Sequence, residues 1–155
     1  MSDLRPDASA VAVLRGDGAE TRVLLIRRGR GAFAGAWTIV MGGVDAGERA
    51  TETACREVRE ETGLGVTALF TAGMLDSFYD PVKDRVVVVP FFVARVADGD
   101  VLIDEAHDAH RWVSLHEAAQ LLTFSAQRRL LDEVRAAFVE REPEPWRAIP
   151  VPRSP

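Results

Sequence analysis

Three glutamates, Glu57, Glu60 and Glu61, stand in a stretch that a helix would wind onto one side. At a helical step of roughly 100° they fall within an arc of about 100°. Carboxylates three and four residues apart are neighbours and repel one another. At roughly 6 Å and an effective dielectric of about 20, each like pair costs on the order of 3 kcal/mol before salt screening. The same wheel sets Glu57 and Glu61 beside Ala50, Ala54 and Val58, the apolar stripe that must face a core. Acids at the rim of a buried face are poorly placed for solvation. Hard divalent cations favour such oxygen-rich, partly dehydrated sites, and Mg²⁺ takes one or two carboxylates plus waters and substrate phosphates.

The residues before the acids suit the same chemistry. Gly42, Gly43 and Gly47 let the backbone turn tightly and approach a ligand without a Cβ in the way. They can expose amides to an anion at the helix start, or turn a carbonyl toward a metal. Arg56 lies within reach of Glu52 and Glu60, four residues to either side, and would hold acidic side chains in fixed rotamers. A solvated, salt-bridged surface helix is the usual meaning of a Glu/Arg run, but it needs neither the glycines nor this placement of acids.

Read together, Gly42, Glu48, Arg56-Glu57, Val58, Glu60-Glu61 and Gly63-Leu64 resemble the signature of the Nudix hydrolases, with every defining position filled. The resemblance implies an α/β/α sandwich around a mixed central sheet. It also implies hydrolysis of a nucleoside diphosphate linked to another group, with Mg²⁺ or Mn²⁺ as cofactor. By the family pattern Glu57, Glu60 and Glu61 coordinate metal, Gly42 adds a carbonyl, Glu48 supports or completes the site, and Arg56 orients the acids. Glu57 is the chosen water-activating base, with a residue on a later loop as the alternative; in that loop, Glu105 is favoured over Asp104 and Asp108. Two departures stand out: Val40-Met41 replaces the usual Leu-Pro, which loosens the loop, and Asp45 stands where glutamate is more usual.

Substrate contacts lie outside this signature. Arg27, Arg28 and Arg30 precede it and could meet phosphates or remain solvated, with Arg28 the chosen contact. Trp37, Phe78 and Tyr79 could stack on a base or simply pack, with Trp37 and Phe78 the candidates. His107 and His110 near acids raise a zinc site but lack further ligands, and Cys55 reads as a packed apolar residue. The segment 107 to 131, including Gln127, is similar to bacterial dATP and dihydroneopterin triphosphate pyrophosphohydrolases. That likeness favours a (deoxy)nucleoside triphosphate, cleaved to monophosphate and pyrophosphate. ADP-ribose, another nucleotide sugar or a diadenosine polyphosphate is the alternative, and a non-catalytic nucleotide sensor a further one.

The elements that must position these residues follow from pattern. Strands are expected over 8–14, 21–26, 37–40, 66–78, 85–94 and 111–113, with the acidic helix over 48–62. Pro90 cannot donate to a ladder, so its strand lies at an edge or carries a bulge there. Helices are expected over 115–122, capped by Ser114, and to about 140 from a cap at Ser125. By the resemblance, one Nudix domain is expected over 1–141. The remainder, 142–155, with Pro143, Pro145, Pro150, Pro152 and Pro155, is expected to be an irregular tail, disordered or laid over a neighbouring surface.

The chain has 155 residues, 47% hydrophobic content and a net charge of −5, which fits one enzyme domain and argues against a nucleic-acid surface, RNA decapping included. No apolar run is long enough to cross a bilayer. The first residues lack a secretory signal pattern and Cys55 has no cysteine to pair with, so a cytoplasmic setting is expected. A nucleotide is the expected partner, and a homodimer is left open.

Overall fold

The computed structural model describes residues 3–153; Met1, Ser2 and the last two residues of the expected tail, Ser154 and Pro155, lie outside the described residues. The sheet is laid out from β1 (Ala8–Arg15), whose inner residues are all buried. Ala10, Ala12 and Leu14 enter one hydrophobic cluster, and Val11 and Val13 the other. A strand covered on both faces reads as an unbroken apolar run, which is why this one does.

A 3-10 turn at Gly18–Glu20 leads to β2 (Arg22–Arg28), which returns antiparallel to β1. The single strand expected over 37–40 is two. β3 (Trp37–Thr38) pairs with β2, and the chain then crosses to form β4 (Val40–Gly43) against β1. Gly42 and Gly43 therefore sit in a paired strand and not in a loop; Gly47, at φ 79°, is the glycine that the turn requires.

The acidic helix is α1 (Ala50–Thr62), closed by Gly63 at φ 73°. Ser9 Oγ donates to the Ala50 carbonyl at 2.7 Å and ties its first turn to β1. A long hairpin follows, β5 (Val66–Asp80) and β6 (Arg85–Val96), and β6 runs parallel to β1. Pro90 lies in β6 where the register with β5 shifts between Thr71 and Leu75, so the bulge expected at the proline is present on the facing strand. β7 (His107–Val113) then pairs with β2.

Helices α2 (Leu115–Leu121) and α3 (Ser125–Val134) cover the other face. Ser114 Oγ accepts from the Glu117 amide at 3.1 Å, as its capping role requires. Ser125 makes no cap: it is the first helical residue, and Phe124 holds the cap position without a side-chain bond. A π-helical turn, Arg135–Val139, extends α3 and buries Ala137 and Phe138. The finished sheet runs β3-β2-β1-β6-β5-β8, the last being Ala148–Ile149, with β4 on β1 and β7 on β2. With α1 against one cluster and α2 and α3 against the other, the expected α/β/α sandwich is the fold.

The proline-rich segment is not irregular throughout. Pro145–Arg147 form a 3-10 turn, and β8 (Ala148–Ile149) pairs with β5. The prolines flank this strand and leave its two residues free to bond. Arg147 is the anchor: it is buried, donates to the Ala72 carbonyl at 2.8 Å and pairs with Glu133 at 2.7 Å. Among the described residues no helix is long and apolar enough to cross a membrane. Replacing Arg147 by alanine orphans the Ala72 carbonyl while Glu133 partly re-solvates. R147A should lose about 1–3 kcal/mol of stability, read as a lowered denaturant midpoint, with the far-UV spectrum unchanged.

Candidate active site

Helix α1 presents its acids in two groups, and Arg56 separates them. Its guanidinium grips Glu48 with two nitrogens, Nε to Oε2 at 2.8 Å and Nη2 to Oε1 at 2.9 Å. Nη1 donates to Glu57 Oε1 at 2.8 Å and to Glu60 Oε2 at 3.0 Å. Nη2 also reaches the Gly43 carbonyl at 2.9 Å, and Asp45 completes the ring at 3.5 Å. The partner expected at Glu52 is not taken: Glu52 turns back to accept from the Arg49 amide at 2.7 Å, capping its own helix. Glu48 is further bound by the Thr53 hydroxyl, and the Arg56 fork holds its carboxyl down at about 2.

Glu61 stands on the other side. It is 7% exposed, and its Oε2 has no hydrogen-bond partner. Its neighbours are the Glu57 carboxyl, the Met41 amide and Asp104. Burial first, then the Glu57 and Asp104 charges, push it up to about 9. Burial also raises Glu57, although Arg56 opposes that rise. The hydrogen bond between the two carboxyls raises Glu61 and lowers Glu57, so the proton resides on Glu61.

Gly42 has a concrete reason to be glycine. A Cβ there would fall on the Glu57 carboxyl group, so β4 can pass beneath α1 at this point only without a side chain. Beside it, Gln127 from α3 is buried; its Oε1 accepts from the Ile39 amide at 3.1 Å and its Nε2 faces Met41 Sδ at 3.6 Å. This amide clamps the crossing from β3 to β4, where Val40-Met41 stands in place of the Leu-Pro that the resemblance expects. A groove of about 540 Å³ follows the outer side of α1, lined by Glu48, Arg56, Glu60, Pro152 and Arg153 among others. Glu57 and Glu61 are not part of its lining and turn toward the sheet.

The family model of the NUDIX domain matches residues 3–134. The chain belongs to the Nudix family. It is therefore a hydrolase of phosphoric anhydride bonds, the bonds on which members of this family act. Over 100 residues it is 37% identical to the asymmetrical bis(5'-nucleosyl)-tetraphosphatase of Mus musculus, covering 63% of this chain and 68% of that protein. It is 33% identical over 135 residues to an octanoyltransferase of Myxococcus xanthus, where the match takes in 82% of this chain but spans only 36% of that protein. Among solved structures, a MutT Nudix hydrolase from Burkholderia pseudomallei superposes with a TM-score of 0.70 at 28% identity, over 85% of this chain and 99% of that one.

Within this Nudix chain the remaining sequence candidates separate. Asp104 and His107 join Glu61, their ligand atoms all within 4.8 Å of one another, with His107 Nδ1 2.6 Å from Asp104 Oδ1. Glu105, favoured in that loop, is exposed and stays outside the group. His110 is exposed as well, so the two histidines do not converge. The cause is a register shift between β2 and β7: Ala109 faces Arg27 and His107 faces Arg28, which leaves Asp108 unpaired between them. Asp108 turns out to bind Arg27 Nε at 2.7 Å. Plain alternation back from Trp112, which packs on the α1 side, would have sent Asp108 inward. Asp104 is legible as an acid three residues before a buried histidine, but nothing local announces the bulge.

Arg28 is half-buried, and its Nε is buried without a hydrogen-bond partner. Trp37 packs into the cluster on the face opposite α1, 5.7 Å from the Arg27 guanidinium. Phe78 is 50% exposed on the β5–β6 hairpin, paired with Val87. Neither aromatic is grouped with the acids.

Two outcomes follow from this geometry. Adding a methyl at Gly42 displaces the Glu57 carboxyl from Arg56; G42A should keep the fold, by circular dichroism, and lower divalent-ion affinity at least roughly tenfold by calorimetry. Glu61 carries a folded-state value of about 9 against an ordinary 4.5, so its contribution to stability is complete below the unfolded value and is lost as pH rises through that window. In chelator, E61Q should therefore melt several degrees above the wild type at pH 8. The two should agree within about a degree near pH 4, as melting curves across pH will test.

Proposed function

We propose that this chain is a divalent-metal-dependent pyrophosphohydrolase that cleaves a nucleoside polyphosphate at an internal anhydride and releases a nucleoside monophosphate. The observation that carries the reading is the buried, unpartnered Glu61 Oε2 at the end of a row of acids, beside a glycine whose missing side chain makes room for Glu57. An oxygen-rich donor set with one orphaned oxygen fits a hard divalent ion better than it fits burial alone. Glu57, Glu60 and Glu61, with the Gly42 carbonyl, are the residues that would hold Mg²⁺ or Mn²⁺. The ion supplies positive charge against phosphoryl oxygens that gain negative charge as the anhydride breaks.

The chain's own groups do the rest. Glu48 has both oxygens taken by Arg56, so it serves as the footing on which Arg56 sets the direction of Glu57 and Glu60. Glu57, with one oxygen held by Arg56, accepts the proton of the attacking water. Arg28 takes a substrate phosphate: its neighbour Arg27 is occupied by Asp108, whereas the Arg28 Nε awaits an acceptor. The (deoxy)nucleoside triphosphate suggested by the sequence yields a monophosphate and pyrophosphate. A dinucleoside tetraphosphate is the second reading, favoured by the 37% identity to the mouse tetraphosphatase.

Chromatography of products after incubation with Mg²⁺ and a nucleotide panel separates the readings: pyrophosphate from triphosphates, a triphosphate plus a monophosphate from tetraphosphates. E60Q and E61Q should each lower kcat by on the order of 10²- to 10⁴-fold in a folded protein. R28A should act chiefly on KM. Wild-type rates in both glutamine variants would remove the metal assignment.

A further inference from the structure

We propose that His107, with Asp104 and Glu61, forms a mixed nitrogen-and-oxygen metal site that makes this chain select first-row ions from Mn²⁺ to Zn²⁺ over Mg²⁺. The proposal rests on the metal-dependent reading above and adds to it a ligand from β7. Three observations meet at one place. The ligand atoms of Glu61, Asp104 and His107 already lie within 4.8 Å of one another. Around an ion with bonds of about 2.1 Å, donor atoms sit between ~3 and ~4.2 Å apart, so closing the site needs sub-ångström movements.

The Glu61 and His107 side chains are removed from solvent: Glu61 is 7% exposed overall, and the His107 side chain 5%. Glu61 Oε2 has no partner, which is costly for a carboxyl oxygen unless something else satisfies it. The third observation is the bulge. Pairing of His107 with Arg28 turns the imidazole inward and excludes Asp108, which a plain strand would have placed there. An all-oxygen site suits Mg²⁺, whereas an imidazole donor shifts preference along the first row. His107 Nδ1 already stands 2.6 Å from Asp104 Oδ1, so the two donors can swing to a shared ion without rebuilding the loop.

The test uses Mn²⁺ alone, without nucleotide. Binding is read from loss of the free-ion electron paramagnetic resonance signal, and ligation from ¹⁴N modulation in pulsed spectra. Nitrogen modulation should be present in the wild type, absent in H107N, and retained in an H110A/H116A chain, which keeps His107 as the sole histidine of the three. H107N should also lower the ratio of Mn²⁺ to Mg²⁺ affinity at least roughly tenfold. Bound Mn²⁺ without nitrogen modulation in the wild type, or modulation that survives H107N, overturns this proposal and leaves the hydrolase reading intact. No Mn²⁺ binding in any of these chains sinks both. If H107N does not fold, the wild-type and H110A/H116A spectra decide.

Discussion

The Arg56 guanidinium bonds to the carboxylates of Glu48, Glu57 and Glu60 and stands near that of Asp45, and the arrangement of the whole site depends on it. Carboxylates this close repel strongly, and a flexible lysine could not face several at once; a planar fork with five donors can. Through the Gly43 carbonyl the same group ties α1 to β4, so the helix and the strand that carry the site are fixed to each other by one side chain. Arg56 is itself driven further toward the charged form by Glu48 and Glu57, so it stays cationic at any pH the fold survives.

Glu61 escapes this network, and the escape gives it a different chemistry. Without a guanidinium at hand, burial and the neighbouring carboxyl leave it protonated until a cation arrives. One helix thus holds acids oriented by Arg56 together with one acid that burial drives toward the neutral form. The surrounding framework is stiff where this matters. Ser9 pins the first turn, Gln127 clamps the β3–β4 crossing, and Gly42 admits Glu57 beneath the helix. Val40-Met41 therefore does not leave the crossing loose, because the amide of a distant helix holds the backbone that a proline would otherwise restrain.

Much of the fold was legible because its signals are local. The unbroken apolar runs of β1 and β6, the apolar stripe of α1 and the Ser114 cap each express a pattern or a bond made within a few residues. Two of the misreadings share a cause as well. Trp37 to Val40 looks like one strand, yet the chain changes partner from β2 to β1 inside it. Ser125 has the right chemistry for a cap, but the helix opens one residue earlier. The proline-rich end reads as irregular until a two-residue ladder and the buried Arg147 lay part of it on β5. For the crossing strand and the proline-rich end, a partner far along the chain decided.

By itself the sequence determined the family, the acidic helix and the identity of the arginine that organises it, because residues a turn or so apart on a helix must meet whatever the remainder does. Tertiary structure decided which acids Arg56 holds, which one is buried away from it, and which loop residues reach that one. Those outcomes hang on desolvation and on strand register. A one-residue bulge opposite Arg28 turns His107 inward and Asp108 outward, and no spacing within β7 encodes where its partner strand will shift.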